Sequence, residues 1–262
     1  MENSLNLKKI VKEQYGKIAE NAKTSCCSST CSCGNKNSFM EESYTDLNGY
    51  NPDADLGLGC GLPTNFAKIK KGDTVVDLGS GAGNDCFVAR SEAGENGKII
   101  GIDFTPEMIA IAKRNAEKRG FANIEFIQGD IENIPLNSNI ADVIVSNCVL
   151  NLVPNKQAVF SEIYRVLKST GHFSISDIVL TGQLPEKIKS ATELYAACVS
   201  GAIEKDDYIQ FILEAGFKNI TIQQERSIPM PDDEIEKYLS KEEIASYKAN
   251  PIIKSITIYA EK

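Results

Sequence analysis

Apolar residues fall along this chain in two alternating rhythms. From Asp73 onward, short Val/Ile runs, "TVVDLGSG", "GKIIGIDF", "IEFIQGD", "ADVIVSN" and then "GHFSISDIV", alternate with longer amphipathic stretches. Short apolar runs bounded by Gly, Asn and Asp read as strands, whereas apolar positions recurring every three or four residues read as helices. In "TPEMIAIAKRNAEKRG", Thr105 stands as N-cap, Pro106 at the first helical position, where a missing N–H is tolerated, and Gly120 at the end. "DDYIQFILEAGF" is a further helix, and "NITIQQE" and "SITIYAE" after it extend the sheet at one edge. The alternation predicts an α/β fold: a seven-stranded, mostly parallel sheet with helices on both faces. Ahead of it, residues 5–20 predict a helix through Leu7, Ile10, Val11, Tyr15 and Ile18, after which Ala22 to Tyr50, rich in Cys, Ser, Asn and Gly, reads as a loop.

Composition narrows the function. With 262 residues the chain can bury a substantial core without disulfides or metals. A net charge of −8 argues against nucleic-acid binding, which relies on clustered Lys and Arg, so a small or neutral substrate is expected. No segment approaches the roughly 20 apolar residues of a membrane span, and Met1 to Lys12 lacks the apolar stretch of a secretory signal. A cytoplasmic location without membrane partners is expected. In that reducing compartment, the eight cysteines point to metal, metalloid or redox chemistry rather than lasting disulfides. The single histidine, His172, falls within a predicted strand and is expected to pack there.

The first strand runs into "VVDLGSGAGND", a turn holding Gly79, Gly81 and Gly83 before a helix that starts near Asn84. Glycines there allow a tight turn and let a ligand reach main-chain N–H groups. About 20 residues past Gly83, Asp103 ends the second strand, where a carboxylate can accept hydrogen bonds from ribose hydroxyls. "GLGCG" at Gly57 to Gly61 is preceded by "NPDAD" rather than a strand and is not read as a nucleotide loop. A dinucleotide fingerprint is Gly-x-Gly-x-x-Gly, whereas this loop is Asp-x-Gly-x-Gly-x-Gly. It resembles the class I S-adenosylmethionine-dependent methyltransferases, over about residues 60 to 180. That resemblance implies a Rossmann-like core. It places Asp77 near the methionine amino group, Asp103 at the ribose and Asp130 at the adenine, with Met108 packed on the adenine. Ser80, Phe104, Ile131 and Asn147 complete the implied cofactor set beside the three glycines.

Ligands of open α/β sheets bind beyond the carboxyl ends of the strands. Cys148 in "SNCVLNLVP" sits at the end of the fourth strand, which neighbours the first in this fold, so its sulfur is expected to face the methyl donor. Cys60 is flanked by glycines in "GLGCGLP", and Cys198 lies in "ELYAACVSGA", read as late in a helix. Each can be a small buried hydrophobe, the reading preferred for Cys86 in "NDCFVA". Converging instead on the cofactor, they would suit a soft, thiophilic substrate with its own lone pair, such as trivalent arsenic, for which no general base is required. Packed cysteines in another small-molecule methyltransferase, and a cysteine-based metalloid-sequestering protein, remain alternatives on the residues alone.

The stretches "LGLGCGLPT", "DLGSGAGNDCFVA", "SNCVLNLVPNKQAVFSEIYRVLK" and "ACVSGA" resemble the arsenite methyltransferase family. One departure is Gly61-Leu62-Pro63, where many bacterial members read Gly-Asn-Pro after the thiol. The resemblance implies Cys148 and Cys198 as arsenic-binding thiols and Cys60 as a further redox-active thiol. Arsenite or methylarsenite would arrive as thiol conjugates, and thioredoxin or glutathione would reset the cysteines. It further implies three parts: an N-terminal helix and cysteine-rich loop over 1–60, a cofactor-binding core over 61–180, and a part over 181–262 that adds an arsenic-binding helix and edge strands. In "CCSSTCSCG", the spacing of Cys26, Cys27, Cys31 and Cys33 makes an awkward closed zinc shell. Cys26 and Cys27 are the candidates for capturing arsenic, and Cys31 and Cys33 read as accessory.

Overall fold

The structure, a computed structural model, describes residues 2–24, 42–189, 199 and 201–262. Cys26, Cys27, Cys31, Cys33 and Cys198 lie outside the described residues, as does the helix expected around Cys198.

Seven strands form one sheet in the order β3-β2-β1-β4-β5-β7-β6. They are β1 (Thr74–Leu78), β2 (Lys98–Asp103), β3 (Ile124–Gln128), β4 (Ala141–Asn147), β5 (Leu167–Leu180), β6 (Lys218–Ser227) and β7 (Ile253–Glu261). The first five run parallel, and β7 is antiparallel to both β5 and β6. Each expected strand is present, and the last two lie at one edge. The structure adds that β7 inserts between β5 and β6, so the sheet runs across position 180 into the C-terminal part.

Alternation along each strand builds two layers of core. Val75, Ile99, Val143 and Val145 face α3 (Asn84–Ala93) and α4 (Pro106–Lys118), while Val76, Ile100 and Ile144 face α5 (Lys156–Val166) and a helix over Lys205–Glu214. Period-two alternation is what lets one strand feed both layers. Phe87 of α3, fully buried, packs on Phe121 and Phe126 with centroids 5.9 and 6.3 Å away. Burial of such a ring contributes about 1.5–3 kcal/mol. Helix α4 begins after Thr105 as expected. The Thr105 side chain makes no capping bond there, and its backbone N–H donates instead to Asp103 Oδ1 at 2.8 Å.

The N-terminal helix α1 spans Glu2–Thr24, longer than its periodicity predicts, and lies across α4, while the short helix α2 is Pro63–Phe66. His172 of β5 is packed, with Nε2 2.6 Å from the Ala67 carbonyl oxygen and its ring 5.1 Å from that of Tyr259. No helix among the described residues is long and apolar enough to cross a membrane.

Candidate active site

A cleft opens over the carboxyl ends of β1, β2 and β4, where the strand order reverses between β1 and β4. Such a switch point leaves strand ends uncovered by crossover helices. The cleft holds about 1060 Å³ of empty space, its open mouth included. Its floor is the turn after β1. Gly79 has φ +75°, and a Cβ there would come within 2.3 Å of Val149. Gly83, at φ +98°, would drive a Cβ into Phe126 at 2.8 Å. These two positions need glycine for backbone conformation and for close packing together. Gly81 N–H donates to Asp103 Oδ2 at 3.0 Å, which ties the turn to the end of β2.

The expected cofactor residues fall into two groups. Gly79, Ser80, Gly81, Asp103, Phe104, Asp130, Ile131 and Asn147 line the cleft. Asp77, Gly83 and Met108 do not. Met108 is fully buried within the core layer under α4, and Gly83 packs on aromatic rings. Asp77 is buried and accepts a hydrogen bond from the Cys86 thiol at 3.2 Å. Burial, reinforced by the nearby Asp85 charge, pushes the Asp77 carboxyl well above the usual range. Cys86 is therefore packed, as read from the sequence, but as a donor to a carboxylate rather than as a plain hydrophobe.

Beside the glycine turn, where Asp77 is turned away, the cleft is faced by Asp85, in the first turn of α3. Its Oδ2 accepts Tyr44 O–H at 2.8 Å and Asn147 Nδ2 at 3.4 Å, while its buried Oδ1 has no hydrogen-bond partner among the described residues. Burial raises its pKa to about 6 despite those two donors. Ser80 Oγ is likewise buried without a hydrogen-bond partner among the described residues. Orphaned buried acceptors of this kind are costly unless a ligand supplies donors. An adenosyl-methionine cofactor carries the matching groups: an α-ammonium, ribose hydroxyls and an adenine amine. At the other end, α1 contributes Lys8, Val11 and Tyr15 to the wall, and Lys8 Nζ bridges Asp130 Oδ2 at 2.6 Å and Glu132. Asp85, Tyr44 and Lys8 were not anticipated. The acidic residue two positions after Gly83 was the available signal for the first, whereas Tyr44 and Lys8 arrive through long-range packing.

On the far side of Asn147 lie the cysteines. Cys148 has φ +60°, a conformation rare for a residue with a Cβ, while its N–H still donates to Ser176 O at 2.8 Å, in continuation of the β4–β5 ladder. That kink turns its side chain out of the strand's alternation, and unusual backbone of this sort concentrates at functional sites. Cys60 is fully buried and held at both of its peptide groups. Its N–H donates to Asn147 Oδ1 at 3.0 Å, and its carbonyl oxygen accepts from Ser255 Oγ at 2.6 Å and Arg226 Nη2 at 2.8 Å. Asn147 thus touches the cofactor cleft, the Cys60 loop and Asp85 at once.

The donor atoms of Cys60, Cys148 and Asp177 all lie within 4.8 Å of one another, and all three residues are buried. Asp177 was not singled out from the sequence, although an acid in the middle of the apolar run of β5 was a visible anomaly. Its Oδ1 accepts Asn151 Nδ2 at 3.0 Å and Ile178 N–H at 2.9 Å, and Oδ2 accepts Tyr208 O–H at 3.2 Å. Burial pushes its pKa to about 7 against those donors and the Lys156 cation. Val199 is fully buried and belongs to the same apolar cluster as Cys60, Cys148 and Leu152.

Residues 69–216 match the family model described as a methyltransferase domain. Over 246 residues the chain is 39% identical to an arsenite methyltransferase of Halobacterium salinarum, which covers 89% of this chain and 61% of that protein. It is 32% identical over 240 residues to an arsenite methyltransferase of Aquipseudomonas alcaligenes, covering 87% and 67%. The chain therefore spans about three fifths of the first relative and two thirds of the second. Among solved structures, an arsenic (III) S-adenosylmethionine methyltransferase from Chlamydomonas reinhardtii superposes with a TM-score of 0.67 at 33% identity, over 78% of this chain and 67% of that one.

Proposed function

The chain belongs to the arsenite methyltransferase family of S-adenosylmethionine-dependent enzymes, and from that premise we propose that it methylates trivalent arsenic held by cysteine sulfur. The observation that carries the reading is the meeting of Cys60 and Cys148, far apart in sequence, at the end of β4 beside the cofactor cleft.

The cleft residues divide the work of holding S-adenosylmethionine. Asp103 takes the ribose hydroxyls, Asp130 and Ile131 the adenine, and Asp85, with Tyr44 and Asn147 behind it, the α-ammonium. When bound, the cofactor supplies an electrophilic methyl carbon on a sulfonium, open to attack by the arsenic lone pair. Cys148 and Cys198 bind arsenic by exchange: each protein thiol displaces one small thiol from the incoming conjugate, and the thiol proton leaves on the displaced sulfur. Soft thiolates suit this thiophilic centre, and a lone-pair nucleophile needs no general base, in keeping with a His172 packed against the Ala67 carbonyl. Val149, Leu152 and Val153 line the cleft next to Cys148 and keep water from it. Orientation of two reactants in one such site is worth up to about 7–11 kcal/mol.

Cys60 is placed to pair with Cys148. The Cys60 sulfur, giving its proton to solvent, attacks the Cys148 sulfur; the Cys148–As bond breaks and leaves its electron pair on the methylated arsenic, which returns to the trivalent state, and thioredoxin or glutathione then reduces the disulfide. Cys26 and Cys27 serve arsenic capture, in a cytoplasmic enzyme. The test is incubation of the full chain with S-adenosylmethionine, arsenite and a thiol reductant, followed by arsenic speciation. Methylated arsenic is expected. Cofactor binding without any methylated arsenic would overturn the proposal.

A further inference from the structure

Arsenic chemistry accounts for the two sulfurs but not for the carboxylate that lies with them. Trivalent arsenic is three-coordinate and thiophilic, and Cys148, Cys198 and one small thiol kept from the conjugate already complete its sulfur set. Asp177 adds an oxygen donor that such a centre does not call for. Two thiolates and a carboxylate are, however, a suitable three-point set for a borderline-soft divalent cation, which completes a tetrahedron with water.

We propose that Cys60, Cys148 and Asp177 form a second-ligand site that binds a divalent cation of the zinc class and so excludes arsenic. The three donor atoms already lie within 4.8 Å of one another. In a tetrahedral zinc shell with Zn–S near 2.3 Å, neighbouring sulfurs are about 3.8 Å apart, so the two sulfurs need to close by no more than about 1 Å. Two of the three ligand residues are held in place by surrounding hydrogen bonds. Asp177 is oriented by Asn151, Tyr208 and the Ile178 N–H, and the Cys60 backbone is pinned by Asn147, Ser255 and Arg226. Such outer partners fix ligand geometry and raise affinity.

The charge also balances. Two S–H bonds break, two S–metal bonds and one carboxylate O–metal bond form, and the two thiol protons, with that of Asp177 where it is protonated, leave to solvent, which sets a 2+ ion against three negative donors. The residual negative charge faces Lys156, whose ammonium acts on Asp177 and is held at the Gly201 carbonyl oxygen at 3.1 Å. No redox change is involved, so the site is reversible and opposes oxidation of the two thiols while it is filled. The cation and arsenic compete for Cys148, which makes divalent zinc-class ions inhibitors of arsenic loading.

The test uses cobalt(II) as a spectroscopic probe on the reduced, full-length chain with Cys26, Cys27, Cys31 and Cys33 changed to serine, which removes the other clustered thiols. One equivalent of cobalt should produce sulfur-to-cobalt charge transfer with the visible bands of a tetrahedral ion, reversed by zinc and blocked by arsenite. Cys148→Ser and Cys60→Ser should each lose most of the charge-transfer intensity. Asp177→Asn should keep it at saturation but weaken zinc binding by at least the roughly 10- to 100-fold that losing an outer partner costs. Methylthioadenosine binding and near-ultraviolet circular dichroism report that each variant is folded. Charge transfer that survives loss of Cys60 or Cys148, or zinc affinity unchanged in Asp177→Asn, overturns the proposal. Neither readout involves methyl transfer, so the outcome is independent of whether the chain methylates arsenic.

Discussion

Asp85→Asn separates the acid that faces the cleft from the acid at the strand end. The substitution keeps the side chain's shape and an oxygen to accept Tyr44 O–H, but it removes the negative charge from the buried Oδ1 position, which has no partner among the described residues. A hydrogen bond to a charged group is worth about 1.5–3 kcal/mol. At about 1.36 kcal/mol per decade, that is a roughly 10- to 150-fold weaker affinity for S-adenosylhomocysteine at neutral pH. Methylthioadenosine lacks the amino-acid moiety and should bind both proteins alike, as measured by titration calorimetry. The pH dependence supplies a second signature. Burial raises the Asp85 pKa from 3.8 to about 6. An ammonium ligand selects the ionised form, so affinity should be level above about pH 6 and fall below it by up to about tenfold per pH unit. Asp85→Asn should flatten that slope. In the chain without ligand the same shift favours the neutral acid: its contribution to stability is full below pH 3.8 and lost as pH rises through about 6. Unchanged S-adenosylhomocysteine affinity, or equal weakening of methylthioadenosine, would refute the assignment.

Three further outcomes are expected. Cys148→Ser should cut arsenic methylation by at least the roughly 10- to 100-fold that losing an outer metal-site partner costs, with cofactor affinity kept, as read by speciation and calorimetry side by side. Gly79→Ala forces a Cβ onto a left-handed backbone and against Val149. With about 1–2 kcal/mol for the backbone and about 1–3 for overpacking, it should lower urea stability by about 2–5 kcal/mol, and a change within error would count against that close contact. Asn147→Ala removes the acceptor for Cys60 N–H and donors to Tyr44, Asp85 and the Gly61 carbonyl. At about 1 kcal/mol for each lost bond it should destabilise by roughly 2–4 kcal/mol and weaken cofactor binding, both checked on one preparation.

Much of the architecture was legible because strands and helices announce themselves by local period. The seven runs in Val, Ile, Phe and Thr are the seven strands, and the Pro106 and Gly120 signals bracket α4 within two residues. Which acid meets the cleft was not legible in the same way. Asp77 and Asp85 both flank the glycine turn, and whether a carboxylate points along the sheet or over its edge depends on how α3 leaves Gly83. Met108 shows the same limit: it follows the second-strand acid at a plausible spacing, yet the rotation of α4 turns it into the core with Ile111 and Ala112. Asp177 stood out as an acid inside an apolar strand, but its partners Asn151 and Tyr208 come from other elements.

By itself, then, the chain's linear pattern determined the order of strands and helices, the glycine turn, the acids at the strand ends and the presence of thiols, all properties of neighbours within a few residues. The tertiary structure decided that Cys60, Cys148 and Asp177 share one buried point, that Asp85 rather than Asp77 is presented to the cleft, and that α1 closes over Asp130. These are long-range contacts. They follow from β4 lying beside β1 and from β7 inserting antiparallel next to β5, where Ser255 and Arg226 reach the Cys60 carbonyl. Pairing of that kind is selected by the packing of whole layers, which no short window of sequence contains.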